Sequence, residues 1–151
     1  NEATVIEISG AYKRYHCPMA RTVFLGKEDQ QKLDVMNKTI EALEEGKSVI
    51  KAGVTADSVA QTFWKVLDKY NIKKDSRTGY SIGAGFPPDW GERTLNISKG
   101  DPTVLQTNCT LHMIAVMQMG DWGVEVSEAM RVTDDGYEAF CNFPKELVFK
   151  D

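Results

Sequence analysis

Apolar and polar positions alternate over residues 4–9, TVIEIS, where Val5 and the two isoleucines flank Glu7. β-branched residues in a period of two predict a β-strand there. A second strand is expected over about 11–17 and a third over about 21–25. From Glu28 the period changes. Leu33, Met36, Ile40 and Leu43 recur at helical spacing, which predicts a long amphipathic helix over about 29–51, ending near Gly53. Thr55 then offers a side-chain oxygen to cap a second helix, with Val59, Phe63, Val66, Leu67 and Tyr70 on its buried side. After KKDSR comes TGYSIGAGFPPDWGERT, rich in glycine and proline and without a regular period. It reads as a long loop of the functional or mobile kind. Strand character resumes at 103–106 and 110–118 and continues near 122–133 and 137–141, the last two joined by the Asp134-Asp135-Gly136 turn. The order β-β-α-α-loop-β-β-β predicts an α+β domain, a curved antiparallel sheet with helices on one face.

Composition bounds the class of protein. With 151 residues the chain has the length of one domain, one that buries roughly 70% of its unfolded surface. Its 42% apolar and 26% charged residues are those of a globular chain. No stretch approaches the roughly 18–20 consecutive apolar residues of a membrane span, so no membrane partner is expected. A net charge of −4 without a basic stripe argues against a nucleic-acid partner and mildly favours neutral or cationic ligands. Cys17, Cys109 and Cys141 are odd in number and form no CxxC pair, which points to a reducing cytoplasm rather than a disulfide framework. The opening NEATVIEISG has no initiator Met and no signal-like core. It reads as a strand already under way, so a longer parent protein is expected.

Several side chains could carry chemistry. Glu7 is a carboxylate inside a short apolar strand. Buried, it needs a partner and its pKa rises toward useful values; on the wet face of an edge strand neither follows. His16 and His112 are the two histidines. His16 and Cys17, adjacent on a strand, point to opposite faces and cannot chelate one ion. His112, inside CTLHMIAVM, is either a satisfied core residue or a group facing the concave side of the sheet. PPDWGERT combines Trp90 with the acids Asp89 and Glu92. That suits a cationic or amidine-like ligand, with carboxylates on the charge and the indole face adding a cation–π term; the alternative is a solvated turn. In DWGVEVSEAM, Glu125 and Ser127 share one strand face and Glu128 takes the other. One acid is expected to face the site and the other solvent. No cluster of carboxylates or histidines has metal-ligand spacing.

EISGAYKRYHCPMARTVFLGK, with GYSIGAGFPPDWGERT and DWGVEVSEAMRVT, resembles the creatinase / aminopeptidase P / prolidase family, whose fold is known as the pita-bread fold. The resemblance spans nearly the whole chain, and PPDWGERT is its most specific part. Metal-dependent members carry an Asp, ten residues, a second Asp, then one residue and Thr-Arg-Thr. The first Asp position falls on Glu7 and the second on Pro18, followed by Ala20-Arg21-Thr22. The metal histidine of Gly-His-Gly falls in Gly79-Tyr80-Ser81, the glutamate of Glu-Pro-Gly at or near Ile114, after His112, and the last glutamate near Ser127. Of these positions only Glu7 remains acidic. The resemblance therefore implies a metal-free branch like creatinase, with no metal ligand and no cofactor, and within it the ectoine hydrolases.

That resemblance implies metal-independent hydrolysis of a C–N bond in a cyclic amidine, ectoine or hydroxyectoine, giving N-acetyl-diaminobutyrate. Residues 1–151 would be a C-terminal catalytic domain lacking the N-terminal part of the pita-bread. At full length a cytoplasmic homodimer is expected, the partner's N-terminal domain approaching the active site. Glu7 would be nucleophile or general base, Tyr80 a donor of a proton or hydrogen bond, His112 a proton shuttle and Glu125 the partner of the cationic ring nitrogens. His16, Asp89, Trp90 and Glu92 would bind the substrate. Two other readings stand beside this one: a metal-dependent Xaa-Pro dipeptidase, and a pita-bread protein that binds without catalysing.

Overall fold

The computed structural model describes residues 2–85 and 89–150. The elements are β1 (Glu2–Tyr12), β2 (Tyr15–Leu25), α1 (Gln30–Ser48), α2 (Ala56–Lys69), β3 (Gly79–Ile82), β4 (Gly91–Ile97), β5 (Thr110–Met119), β6 (Trp122–Val132), β7 (Tyr137–Ala139) and β8 (Val148–Lys150). They make a five-stranded sheet of order β4-β3-β5-β6-β7 and a three-stranded sheet of order β1-β2-β8. This is the expected α+β architecture, except that β8 runs parallel to β2.

Three stretches differ from the sequence expectation. The segment 11–17 is not one strand but contains a hairpin turn, with Lys13 at φ 48 and Arg14 at φ 73. Beyond it β2 runs unbroken from Tyr15 to Leu25. Two-residue turns of this hand favour Asn-Gly, so Lys-Arg carries no turn signal. The glycine-rich run contains two strands, β3 and β4, where a loop was expected. Residues 86–88, part of the expected ligand loop, lie outside the described residues. The strand expected at 103–106 reduces to a single bridge between Val104 and Thr55.

Both helices follow their sequence signals. Asp29 caps α1, its Oδ1 accepting from the N–H groups of Gln31 at 2.9 Å and Lys32 at 3.3 Å. Met36 and Leu43 lie on its buried side. The helix stops at Ser48, short of the expected end, where the Val49 N–H bonds back to Lys47 O. Thr55 Oγ1 caps α2 by accepting from Ser58 N–H at 3.1 Å, and Val59, Phe63, Trp64 and Leu67 are buried along it.

The five-stranded sheet has two chemically different faces. Leu111, Met113, Ala115 and Met117 of β5 and Val124, Val126 and Met130 of β6 form the main core with the helices. Tyr80, Ile82 and Ala129 form a smaller cluster with partly buried Ile114, Cys17 and Trp90. Strand alternation puts this second set on the opposite face. The β1–β2 hairpin packs there. Thr22 Oγ1 donates to Glu125 O and accepts from Glu125 N–H, both at 2.8 Å. Ala20 N–H donates to Ser127 Oγ at 2.7 Å. The Arg21 guanidinium donates to the carbonyls of Ser127, Phe143 and Pro144. Glu128 points to the helix side, as alternation requires, but solvent does not reach it. Its side chain is 2% exposed and pairs with Lys47 and with Lys145. Two ammonium groups compensate the buried charge.

Candidate active site

The space between the hairpin and the sheet holds most of the expected site residues. Along β1 and β2, Glu7 lies opposite Ala20 and Ser9 opposite Pro18. Two alternate N–H groups of β2 point away from β1: His16 donates to Gly83 O at 2.9 Å, and Ala20 to Ser127 Oγ at 2.7 Å. Pro18 falls midway between them on that outward edge. Its missing N–H therefore removes no ladder bond to β1. It leaves the edge facing the site without a donor there.

Tyr80 on β3 and His112 on β5 are paired directly across the sheet. Tyr80 Oη lies 2.9 Å from His112 Nδ1 and accepts from Trp90 Nε1–H at 2.9 Å. His112 Nε2 is 2.7 Å from Ser127 Oγ. The imidazole is 0% exposed. Burial lowers its pKa to about 3, and the Arg77 charge pushes the same way. It is neutral at physiological pH, which is at odds with a shuttle that passes through an imidazolium. Burial also raises the Tyr80 phenol above its ordinary range, despite the Trp90 hydrogen bond. The Arg77 guanidinium lies 4.3 Å from the Tyr80 ring centroid. His16 stacks on Trp90 with centroids 6.4 Å apart and planes at 24°.

Two carboxylates complete the group. Glu125, half-buried on β6, is raised to about 7, first by burial and then by Glu7, with Lys74 pulling the other way. Glu7 is exposed along β1, yet partial desolvation still raises its carboxyl above the ordinary value. Its charge acts on Tyr80 as well as on Glu125. Carboxylates coupled in this way hold on to a proton near neutrality. Lys74 is itself lowered to about 8 by burial, with Nζ donating to Ser76 Oγ at 2.7 Å and Val116 O at 3.3 Å. Nothing in the local sequence pattern marks Lys74 or Arg77. Ser127 carried one signal, the strand face it shares with Glu125.

Of the three residues expected to bind ligand from the PPDWGERT run, only Trp90 turns toward this group. Asp89 Oδ1 accepts from Gly91 N–H at 2.7 Å and Oδ2 pairs with Arg93 at 3.4 Å. Glu92 accepts from Gly85 N–H. Both carboxylates brace their own loop, because a glycine-rich segment has backbone donors that side chains must satisfy.

A profile of the metallopeptidase family M24 matches residues 1–134. The chain belongs to metallopeptidase family M24. It is 38% identical over 150 residues to an ectoine hydrolase of Halomonas elongata, covering 99% of this chain and 38% of that protein. Among solved structures it resembles the X-Pro aminopeptidase of Thermotoga maritima, with a TM-score of 0.89 at 20% identity, over 98% of this chain and 41% of that one. It also resembles the dipeptidase PepE of Mycobacterium ulcerans, with a TM-score of 0.88 at 23% identity, over 97% of this chain and 39% of that one. The M24 chain thus spans about two fifths of the length of these relatives. The pita-bread fold expected from the sequence is the fold found.

The M24 name implies metal ions, and the residues present do not fit them. Among the described residues no group of three or more His, Cys, Asp or Glu side chains could hold a metal ion. Pro18 offers no side-chain donor, Tyr80 is a protonated phenol, and both nitrogens of His112 are already engaged. His112, rather than Ile114, is the β5 residue bonded into the site; Ile114 packs in its apolar rim.

Proposed function

We propose that this M24 chain carries the active site of a hydrolase that opens a C–N bond of a cyclic amidine without a metal, with ectoine or hydroxyectoine as substrate. The carrying observation is the coupling of Glu7 with Glu125, raised to about 7, beside the Tyr80 phenol. Glu7 thus acts both on the Glu125 carboxyl and on a phenol that stays protonated. The 38% identity to an ectoine hydrolase supports the substrate class. In the reaction water adds to the amidine carbon, the ring C–N bond breaks, the carbon becomes an amide carbonyl and the freed nitrogen leaves as an amine. From ectoine that product is N-acetyl-diaminobutyrate. Glu7 attacks the amidine carbon or takes the proton of the water that does. Glu125, ionised, pairs with the cationic ring nitrogens, Tyr80 donates toward the departing nitrogen, and Trp90 with His16 walls the ring. At full length we read the protein as a cytoplasmic homodimer in which the partner's N-terminal domain covers the open side where Glu7 is exposed.

The test is ring opening of ectoine by the full-length protein in the presence of a chelator, with activity expected to persist. Glu7→Gln is expected to lower kcat by about 10²–10⁴; near-normal turnover in this variant would remove Glu7 from the mechanism. The competing reading is a metal-dependent Xaa-Pro dipeptidase, which the family membership favours. Elemental analysis of the purified protein decides between them: two bound metal ions per chain would establish the peptidase.

A further inference from the structure

The hydrogen bonds around His112 determine which way the Tyr80 proton points. Ser127 Oγ accepts from Ala20 N–H at 2.7 Å and lies 2.7 Å from His112 Nε2, and Ser127 is 0% exposed. A hydroxyl has one proton to give. Were Nε2 the protonated nitrogen, it and Ala20 would both donate to Ser127 Oγ. The buried Ser127 proton would then have no acceptor among the hydrogen bonds described, a costly arrangement. With Ser127 donating to Nε2, the fully buried hydroxyl is satisfied, and the proton left without a partner among the described hydrogen bonds is that of Tyr80, which is 8% exposed and borders the site. The neutral imidazole must then carry its single proton on Nδ1 and give it to Tyr80 Oη at 2.9 Å. Trp90 Nε1, which can only donate, reaches the same oxygen at 2.9 Å. Tyr80 Oη thus accepts twice, and its own proton is directed away from both donors. Glu7, whose charge acts on the phenol, lies on the β1 side of the site.

We propose that Ser127 is a positioning residue: held by Ala20 N–H, it locks His112 as the Nδ1–H tautomer, which together with Trp90 aims the Tyr80 proton into the site. This deepens the hydrolase reading, since it supplies the orientation of the proton donor named there. It also gives a reason for a serine on the site-facing side of β6 next to a histidine too deeply buried to become charged.

The experiment is ¹⁵N NMR of full-length protein labelled at histidine, the His112 signals being those lost in His112→Gln. The expected result is a protonated Nδ1 and an unprotonated Nε2. In Ser127→Ala the Nε2–H form is expected to appear, and kcat for ectoine to fall about tenfold to 10²-fold with KM little changed. Ser127→Thr, which keeps the hydroxyl, is expected to restore the wild-type tautomer. A wild-type Nε2–H tautomer overturns the proposal, and so does a Ser127→Ala protein whose tautomer is unchanged. If Ser127→Ala does not fold, the wild-type tautomer alone decides. The tautomer is read without substrate, so an Nδ1–H result in a protein inert toward ectoine would sink the hydrolase reading and leave Ser127 in place.

Discussion

Glu125 sits half-buried on β6 with Glu7 acting on it from β1, and its carboxyl rises from 4.5 to about 7. A carboxyl raised in the folded state adds stability that is fully present below its unfolded pKa and is lost as pH rises through the folded value. Glu125→Gln removes that loss. The variant is therefore expected to gain on the wild type between pH 4.5 and about 7 and to hold a constant advantage above it. The ceiling is about 3 kcal/mol before solvent screening, and denaturant melts across that pH range measure it. His112 has the opposite sign. Its pKa falls from 6.5 to about 3, so its contribution is full above pH 6.5 and is lost on acidification toward about 3. A variant at each position separates the two effects where their windows overlap.

The β1–β2 hairpin and strand β3 show how element identity escaped local pattern. Lys13 and Arg14 both adopt positive φ in the hairpin turn, a conformation that costs about 1–2 kcal/mol for each residue with a Cβ. Lys13→Asn with Arg14→Gly supplies the residues that turn favours. The pair is expected to raise stability by about 1 kcal/mol and to raise Tm, read by thermal unfolding; a lower Tm would show that the long side chains contribute more than the turn strain costs. Strand β3 reads as loop because its glycine looks like a turn residue. Gly79 is needed for packing instead: a Cβ there would lie 2.9 Å from Ile97 Cγ1 and 3.0 Å from both His112 O and Met113 Sδ. The short strand between β4 and β5 holds Tyr80 against His112 only because its neighbour has no side chain.

At the scale of the molecule, the site exists because a hairpin docks on the face of the sheet away from the helices. Thr22 is the point of attachment at Glu125, bonded to both its N–H and its carbonyl, and it is 0% exposed. Thr22→Val keeps the shape and removes the hydroxyl. It is expected to cost about 1–3 kcal/mol by leaving two backbone groups unsatisfied. If the proposed hydrolase function holds, it should also lower turnover, by loosening the hold of the hairpin on the strand that carries Glu125. Urea unfolding and steady-state kinetics check both effects, and unchanged kinetics in a folded variant would separate docking from catalysis. On the outer part of the hairpin Val5, Ile6 and Ile8 remain 42%, 49% and 56% exposed, although their alternation marked β1 as a strand.

Local sequence determined the two helices, since caps and a 3.6-residue period act within a few neighbours: Thr55 caps α2, and Met36, Leu43, Val59, Phe63, Val66 and Leu67 are buried where the pattern puts them. It also placed Glu125 and Ser127 together on one face of β6, because strand alternation is a property of the chain itself. Family motifs brought Glu7, Pro18 and Tyr80 to notice, and with them the missing carboxylates. What lay beyond the sequence was decided by contacts between distant segments. Glu92 and Asp89 look like ligand groups until the backbone of their own loop takes them. Glu128 looks like a solvent-facing acid until Lys47 and Lys145 reach it. Burial and a second carboxylate from another strand raise Glu125, and burial, with the Arg77 charge behind it, keeps His112 neutral. Electrostatic environment and hydrogen-bond direction depend on what surrounds a group in space, and only the packing of the hairpin on the sheet supplies those surroundings.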